Sequence, residues 1–204
     1  MTLRRVVMWR HGETDHNATG RMQGHLDANL TETGWNQARF AVPALARFDP
    51  DVVVTSDLRR ATDTATVFST ASGVPLRIDK RLRETHLGLW QGKTSAEVDA
   101  EYPGARAVWQ TDPTWAPPGG ETRVELAARG AEVVLALDAA DFDTALLCAH
   151  GGLISALTAQ LLNLPLENWP LLAGIGNCHW TVLARRATSG LAWRLINYNA
   201  GITG

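Results

Sequence analysis

The chain has 204 residues, of which 45% are hydrophobic and 20% charged, and its formal net charge is −2. This length suits one sizeable α/β core, so we expect a single domain over residues 1–204. The composition excludes a disordered or fibrous chain, and the charge balance does not provide the basic surface that nucleic acid or an anionic membrane requires. The first apolar run is too short for a secretory signal or a membrane span. We therefore expect a cytoplasmic protein that binds neither nucleic acid nor membrane.

The N-terminal part of the chain predicts two strand-to-helix steps. An apolar run at residues 6–9 predicts a strand, which is followed by a polar loop and by a helix that begins near Thr31. The β-branched run at residues 52–55 predicts a buried strand, and Ser56 is placed to cap the helix after it. A short third strand is expected at residues 76–78.

Two capping boxes mark helix starts further along the chain. Thr94 with Glu97 precedes a brief helix, and Thr122 with Glu125 precedes a long helix that ends near Ala139. In each pair the Thr side chain and the Glu side chain satisfy backbone N–H groups that the helix itself leaves unpaired.

The segment between these helices, residues 103–120, is rich in Pro, Gly and Trp. Trp109 and Trp115 need a surface to pack against, which indicates an ordered loop excursion and not a linker. We interpret the segment as a lid or rim.

The C-terminal part predicts one more strand-to-helix step and then a strand pair. Residues 144–149 form an apolar run that leads into a helix after Gly152. Residues 179–184 and 191–196 read as two strands around a polar turn, paired antiparallel at a sheet edge. Alternating strands and helices predict an α/β fold with a mostly parallel sheet and an antiparallel edge.

The candidate catalytic residues follow predicted strand ends, where open α/β sheets bind ligands. His11 stands just after the first strand, and a neutral imidazole can attack phosphorus to give a phosphohistidine. Arg10 and Arg60 can hold the phosphoryl oxygens through fork-like charged hydrogen bonds. His150 adds a further donor if anionic neighbours protonate it. Glu84 is the candidate acid for the leaving group and the base for water.

Backbone groups complete the predicted phosphate cradle. The N–H groups after His11 and His150 lead into Gly-containing turns. Gly151 allows the close approach that a side chain would block.

The segment Val7-Met8-Trp9-Arg10-His11-Gly12-Glu13-Thr14, followed in order by Arg60, Glu84 and His150, resembles the histidine phosphatase superfamily of the phosphoglycerate mutase-like type. The resemblance covers nearly the whole chain and implies a three-layer α/β/α sandwich. It implies a phosphohistidine on His11, an acid/base role for Glu84 and a mechanism with no cofactor and no metal. It also places Asn17, Gln23 and Gly24 at positions that contact the phosphoryl group.

Several loops are also similar to a narrower subfamily that dephosphorylates a glucosylated phosphoglycerate. That similarity implies a small phosphorylated metabolite as the substrate and a homodimeric enzyme. The segments that carry it are residues 20–24, 81–92, 115–121, 168–170 and 174–181.

Other functions are weighed against this one. A phosphoglycerate mutase is disfavoured because no arginine directly follows Glu84. A broad-specificity acid phosphatase or a ribazole-phosphate phosphatase remains an alternative. A non-catalytic phosphate-binding protein is disfavoured, because it would have little need for both a nucleophile and an acid. A metallophosphatase is disfavoured because Asp-rich ligand segments are absent. Four basic residues near loops leave open which one recognises the rest of the substrate: Arg21, Lys93, Arg106 and Arg123.

Overall fold

Strands and helices alternate in a computed structural model, which describes residues 3–186 and 193–202. They follow one another as β1 (Arg5–Arg10), α1 (Asp15–Ala18), α2 (Glu32–Ala46), β2 (Val52–Thr55), α3 (Arg59–Ser72), β3 (Leu76–Ile78), α4 (Ser95–Glu101), α5 (Ala105–Thr111), α6 (Arg123–Asp138), β4 (Thr144–Ala149), α7 (Gly151–Leu161), β5 (Trp180–Arg185) and β6 (Trp193–Ala200). Short 3₁₀ helices span Lys80–Leu82, Gly88–Trp90 and Leu166–Leu171.

The described strands form one six-stranded sheet in the order β3-β2-β4-β1-β5-β6. The first four of these pair in parallel, whereas β5 pairs antiparallel with both β1 and β6. The mostly parallel sheet with an antiparallel edge is therefore confirmed. The polar turn expected between β5 and β6 lies outside the described residues.

The sheet is covered on both faces, as β1 shows. Val6 and Met8 are buried against helices α6 and α7, whereas Val7 and Trp9 are buried on the opposite face with α2 and α3. A strand covered on both sides has no solvent-facing positions, which explains its continuous apolar run. The three-layer α/β/α architecture is thus confirmed.

The strand order gathers the loops that carry the candidate residues. Strand β4 lies between β1 and β2, with Arg10 opposite Ala149 and Thr55 opposite Cys148. The carboxyl ends of these three strands therefore open at the same sheet edge.

The predicted helix starts are confirmed at Thr31, Thr94 and Thr122, but not at Ser56. Helix α3 begins later than expected, and its first N–H, that of Arg59, donates to the carboxylate of Asp27 at 2.9 Å. The Ser56 hydroxyl instead accepts from the N–H of Leu58 at 3.3 Å. The helix is capped by a distant loop, a contact that local sequence does not reveal.

The expectation of a loop over residues 103–120 is wrong in part, because α5 lies inside this segment. The packing expected of its tryptophans is present. The rings of Trp109 and Trp115 lie 5.9 and 5.6 Å from the ring of the buried Trp90. The segment therefore packs as a small aromatic cluster beside the sheet edge.

The helices of the described residues include none that is both long and apolar enough to span a membrane.

Candidate active site

Two adjoining cavities, of about 210 and 280 Å³, open beside the carboxyl ends of β1 and β4. We call the first the histidine cavity, because His11 lines it, and the second the tryptophan cavity, because Trp169 lines it. The lining residues that the two cavities share are Arg10, Glu84, Thr85, Trp109 and Gly152.

His11 is buried directly beyond β1 and is held as a neutral imidazole. Its Nδ1 lies 2.7 Å from the carbonyl oxygen of Gly12, which can only accept a hydrogen bond. Nδ1 therefore carries the proton and Nε2 keeps a free lone pair. Burial, with Arg10 and Arg60 nearby, lowers the pKa of His11 well below its ordinary value. An unprotonated ring nitrogen is the form that can attack phosphorus.

His150 is buried after β4, and its ring centroid lies 5.1 Å from that of His11. The Nε of Arg60 donates to its Nδ1 at 3.2 Å, which assigns the ring proton to Nε2. Burial and then Arg60 lower the pKa of His150 well below its ordinary value. The expectation that anionic neighbours protonate His150 is therefore wrong, because its close neighbours are cations. The ring still offers a donor, since the buried Nε2 has no partner within the described residues.

Arg60 is fully buried in the first turn of α3 and bonded on three sides. In addition to the hydrogen bond to His150, its Nη1 donates to the carbonyl oxygen of Leu26 at 2.7 Å and its Nη2 to that of Gly24 at 2.8 Å. Burial lowers the pKa of Arg60 to about 10, so the guanidinium stays charged at neutral pH. It lines the histidine cavity with its orientation already set.

Arg10, the last residue of β1, lines both cavities. Its Nη1 donates to the carbonyl oxygen of Ile175, while its buried Nε has no partner among the described residues. Burial lowers the pKa of Arg10. Two guanidiniums thus flank the histidine pair with N–H groups left for an anion.

Glu84 reaches the site from the loop after residues 80–82 and lies at the N-terminus of α7. Its Oε2 accepts from the N–H of Gly152 at 3.0 Å, and its Oε1 accepts from the N–H of Thr85 at 2.7 Å and of Leu153 at 3.2 Å. Behind it, Arg129 donates to the Glu84 carbonyl oxygen at 2.8 Å. The carboxylate is therefore held at the boundary of the two cavities.

The close approach of a phosphoryl group at Gly151 stays a prediction, whereas Gly152 is the glycine that other protein groups crowd. A Cβ on Gly152 would overlap Glu84 Oε1 and lie 2.8 Å from Thr85 Oγ1. A Cβ on Gly151 would lie 3.5 Å from Arg10 Nε, an ordinary contact, although Gly151 does line the tryptophan cavity.

Asn17, Gln23 and Gly24 all line the histidine cavity, and the contact with a phosphoryl group that the resemblance implies stays a prediction. Asn17 lies on α1, a one-turn helix where the sequence predicts only a loop. Gly24 has φ +54°, and a Cβ there would strike the Gln91 side chain. The buried Oε1 of Gln23 has no partner within the described chain.

Asn177 is a supporting residue that the sequence reasoning missed. Its Nδ2 donates at 3.1 Å both to the carbonyl oxygen of His11 and to Oδ1 of Asn17. It therefore ties His11 and Asn17, which both line the histidine cavity, to a loop that is distant along the chain. Only the loop similarity at residues 174–181 pointed to this region.

The four basic residues left open by the sequence separate into two groups. Lys93 pairs with Glu101, and Arg106 pairs with Asp99 at 2.8 Å, and neither cation lines the two cavities. Arg21 lines the histidine cavity but pairs with Glu97 at 3.3 Å, whereas Arg123 lines the tryptophan cavity.

A neutral imidazole, two flanking guanidiniums and a neighbouring carboxylate suit an enzyme that transfers a phosphoryl group. The chain belongs to the histidine phosphatase superfamily: the model of branch 1 of that superfamily matches residues 6–199. The protein is a phosphatase, a phosphoric monoester hydrolase.

Its similarity to individual members extends over nearly the full length. Glucosyl-3-phosphoglycerate phosphatase of Mycobacterium tuberculosis is 49% identical, over 98% of this chain and 96% of the relative. The enzyme of the same name from Mycolicibacterium vanbaalenii is 50% identical over the same shares. The solved structure of a mycobacterial glucosyl-3-phosphoglycerate phosphatase with VO3 superposes with a TM-score of 0.92 at 50% identity, covering 97% of this chain and 100% of the other.

Proposed function

We propose that this phosphatase hydrolyses glucosyl-3-phosphoglycerate to glucosylglycerate and phosphate through a phosphohistidine on His11. The observation that carries the mechanism is the neutral His11 imidazole, buried between Arg10 and Arg60 and 5.1 Å from His150. The substrate assignment is supported by relatives of that name at 49% and 50% identity over nearly the whole chain.

In the first half-reaction, Nε2 of His11 attacks phosphorus and the bond from phosphorus to the glycerate oxygen breaks. Arg10, Arg60 and Nε2–H of His150 bind the phosphoryl oxygens. These donors stabilise the negative charge that the oxygens carry in the transition state. The substrate is also bound by residues that line the two cavities: Asn17, Gln23 and Gly24 in the histidine cavity and Gly151 in the tryptophan cavity. Glu84 enters this step as the protonated acid and gives its proton to the departing oxygen; the second half-reaction restores that proton.

In the second half-reaction, the Glu84 carboxylate takes a proton from water. The water oxygen attacks phosphorus, the phosphorus–nitrogen bond breaks, and phosphate leaves with His11 neutral again. The same carboxyl group therefore serves as acid and then as base, as required for two half-reactions at one centre.

The phosphoenzyme is tested by rapid quench with a ³²P-labelled substrate. Wild type should show acid-labile label on the protein, and His11→Ala should lose both the label and turnover. Arg60→Ala should lose more than a hundredfold in kcat/KM, whereas Arg59→Ala, the adjacent exposed arginine, should change it less than twofold. Turnover by His11→Ala at the wild-type rate would contradict the mechanism.

The role of Glu84 is tested separately, with leaving groups of different basicity. Glu84→Gln should slow hydrolysis of alkyl phosphates far more than that of p-nitrophenyl phosphate, whose leaving group needs no proton. Equal losses on both substrate types would remove the acid role from Glu84.

The substrate is tested with a panel that contains glucosyl-3-phosphoglycerate, 3-phosphoglycerate, α-ribazole phosphate and p-nitrophenyl phosphate. We expect the highest kcat/KM on glucosyl-3-phosphoglycerate. A flat profile would support a broad-specificity phosphatase, and a preference for α-ribazole phosphate would support that alternative. Efficient conversion of 3-phosphoglycerate to 2-phosphoglycerate with bisphosphoglycerate present, with little free phosphate, would support a mutase.

We also propose that the enzyme is a cytoplasmic homodimer. Leu195 and Ile196 on the edge strand β6 are 39% and 47% exposed, which supports a further contact at this edge. Light scattering after size exclusion should give twice the 22.1 kDa chain mass, and fractionation of the source cells should place the enzyme in the cytoplasm. A monomer at micromolar concentration would contradict the dimer.

A further inference from the structure

The tryptophan cavity adds a chemically distinct compartment to the phosphoryl site. Trp109 and Trp169 form an aromatic wall, and Ala156, Leu172 and Ile175 add apolar surface. Its only described cations are Arg10, which also lines the histidine cavity, and Arg123. The proposed phosphoryl chemistry uses Arg10 and leaves Arg123 without a role.

Arg123 is a guanidinium that contacts no carboxylate among the described residues, although the charge of Glu84 acts on it across the cavity. Its Nη1 donates to the carbonyl oxygen of Gln110 at 3.2 Å, and its Cζ lies 4.9 Å from the ring centroid of Trp109. It forms no ion pair with the part of the chain that the structure describes, whereas Arg21, Lys93 and Arg106 do. Burial lowers the pKa of Arg123.

The position of Arg123 makes this lack of a partner costly. It is the first residue of α6, where the helix dipole disfavours a cation. A partly desolvated cation also loses hydration, which the hydrogen bond to Gln110, the Trp109 ring and the charge of Glu84 replace only in part. Both effects are relieved if a ligand brings an anionic group to this cavity.

The histidine cavity already supplies the anion site for phosphate, so the group that meets Arg123 belongs to another part of the same molecule. Shared lining by Glu84, Trp109 and Gly152 allows one ligand to occupy both cavities. We propose that Arg123 binds the substrate's carboxylate, with Trp109 and Trp169 packing against the uncharged remainder. This inference rests on the proposed function. It makes Arg123 the residue that selects phosphomonoesters carrying a carboxylate.

The test compares two small substrates that differ in the carboxylate alone: 3-phosphoglycerate and glycerol 3-phosphate. Wild type should prefer 3-phosphoglycerate at least tenfold in kcat/KM. Arg123→Met, which keeps the length of the side chain over Trp109, should reduce kcat/KM for 3-phosphoglycerate by about 10- to 100-fold, the usual range for a hydrogen bond to a charged group. The loss should appear mainly in KM. For glycerol 3-phosphate the change should stay within twofold.

Two further variants separate binding from a structural role. Arg123→Lys retains the charge without the fork, so it should recover part of the preference. Arg106→Met removes an arginine of α5 that pairs with Asp99 outside both cavities, and it should leave the substrate ratio unchanged.

The outcomes distinguish this inference from the proposed function. Equal losses on both substrates in Arg123→Met, or no loss on either, would overturn the carboxylate role. A wild type without preference for 3-phosphoglycerate would overturn it even if the variant does not fold. If the carboxylate preference depends on Arg123 but glucosyl-3-phosphoglycerate is no better than other carboxylate-bearing phosphates, the inference stands and the glucosyl assignment fails.

Discussion

Adding one methyl group at Gly152 should disable the enzyme by displacing Glu84. A Cβ at this position would lie 2.8 Å from Thr85 Oγ1, against at least 3.4 Å for an ordinary contact, and it would overlap Glu84 Oε1. The Thr85 hydroxyl must therefore move by about 0.6 Å, and the Glu84 carboxylate, whose Oε1 is nearer still, must move further. Its hydrogen bonds from the N–H groups of Gly152 and Leu153, now 3.0 and 3.2 Å, would lengthen beyond the usual range.

The expected loss follows from this displacement. Misplacing a catalytic group by about 1 Å costs on the order of 100-fold in rate, so Gly152→Ala should lose about 100-fold in kcat/KM on alkyl phosphates. On p-nitrophenyl phosphate the loss should stay below about tenfold, because that leaving group needs no acid. The overpacked site should also reduce the free energy of unfolding by about 1–3 kcal/mol.

Gly151→Ala is the matched comparison, because its Cβ would lie 3.5 Å from Arg10 Nε. Steady-state kinetics on both substrate types, with urea denaturation of each variant, measures the difference between the two neighbours. If Gly152→Ala keeps wild-type kcat/KM on alkyl phosphates, or if Gly151→Ala loses as much, the steric argument is wrong.

Three further results are expected. Asn177→Ala removes hydrogen bonds to His11 and Asn17, so urea denaturation should show a loss of about 2 kcal/mol, and phosphate should inhibit the variant more weakly than wild type. Because burial lowers the pKa of His11 and His150 in the folded state, the unfolded state binds more protons below pH 6.5, and the free energy of unfolding should fall as the pH decreases from 6.5. His150→Gln should show a shallower fall over the same pH interval, and a slope equal to that of wild type would contradict the pKa assignment. Asp27→Ala should destabilise the protein by about 1 kcal/mol through the lost cap of α3, as measured by thermal unfolding, whereas Ser56→Ala should not lose that cap.

The parts of the fold that depend on short stretches of sequence could be predicted. The apolar runs at β1, β2 and β4 identified strands covered on both faces, and the Thr94 and Thr122 capping boxes marked helix starts, because these signals lie within a few residues. Parallel strands then placed His11 and His150 at one edge, since strand ends in such a sheet face the same way.

The remaining features depend on contacts between distant segments. The cap that Asp27 provides for α3, the bridge that Asn177 makes to His11 and the overlap at Gly152 each join residues far apart in sequence. The protonation expected of His150 was wrong for the same reason: burial and then the nearby Arg60 lower its pKa, and both follow from the folded chain. Arg123 could not be separated from three other basic residues until the cavity was defined.

The attachment of Arg60 to Gly24, Leu26 and His150 has a consequence for how ligands arrive. Its charge is fixed in place when the chain folds, so an incoming dianion meets an electric field that is already oriented and needs no side-chain rearrangement to create it. The free-energy cost of orienting these groups is met during folding, so the binding step carries little reorganisation cost. A lysine at position 60 could not satisfy three acceptors in one plane, so even a charge-conserving replacement would leave the residue 24–26 backbone untethered as well as weakening the field.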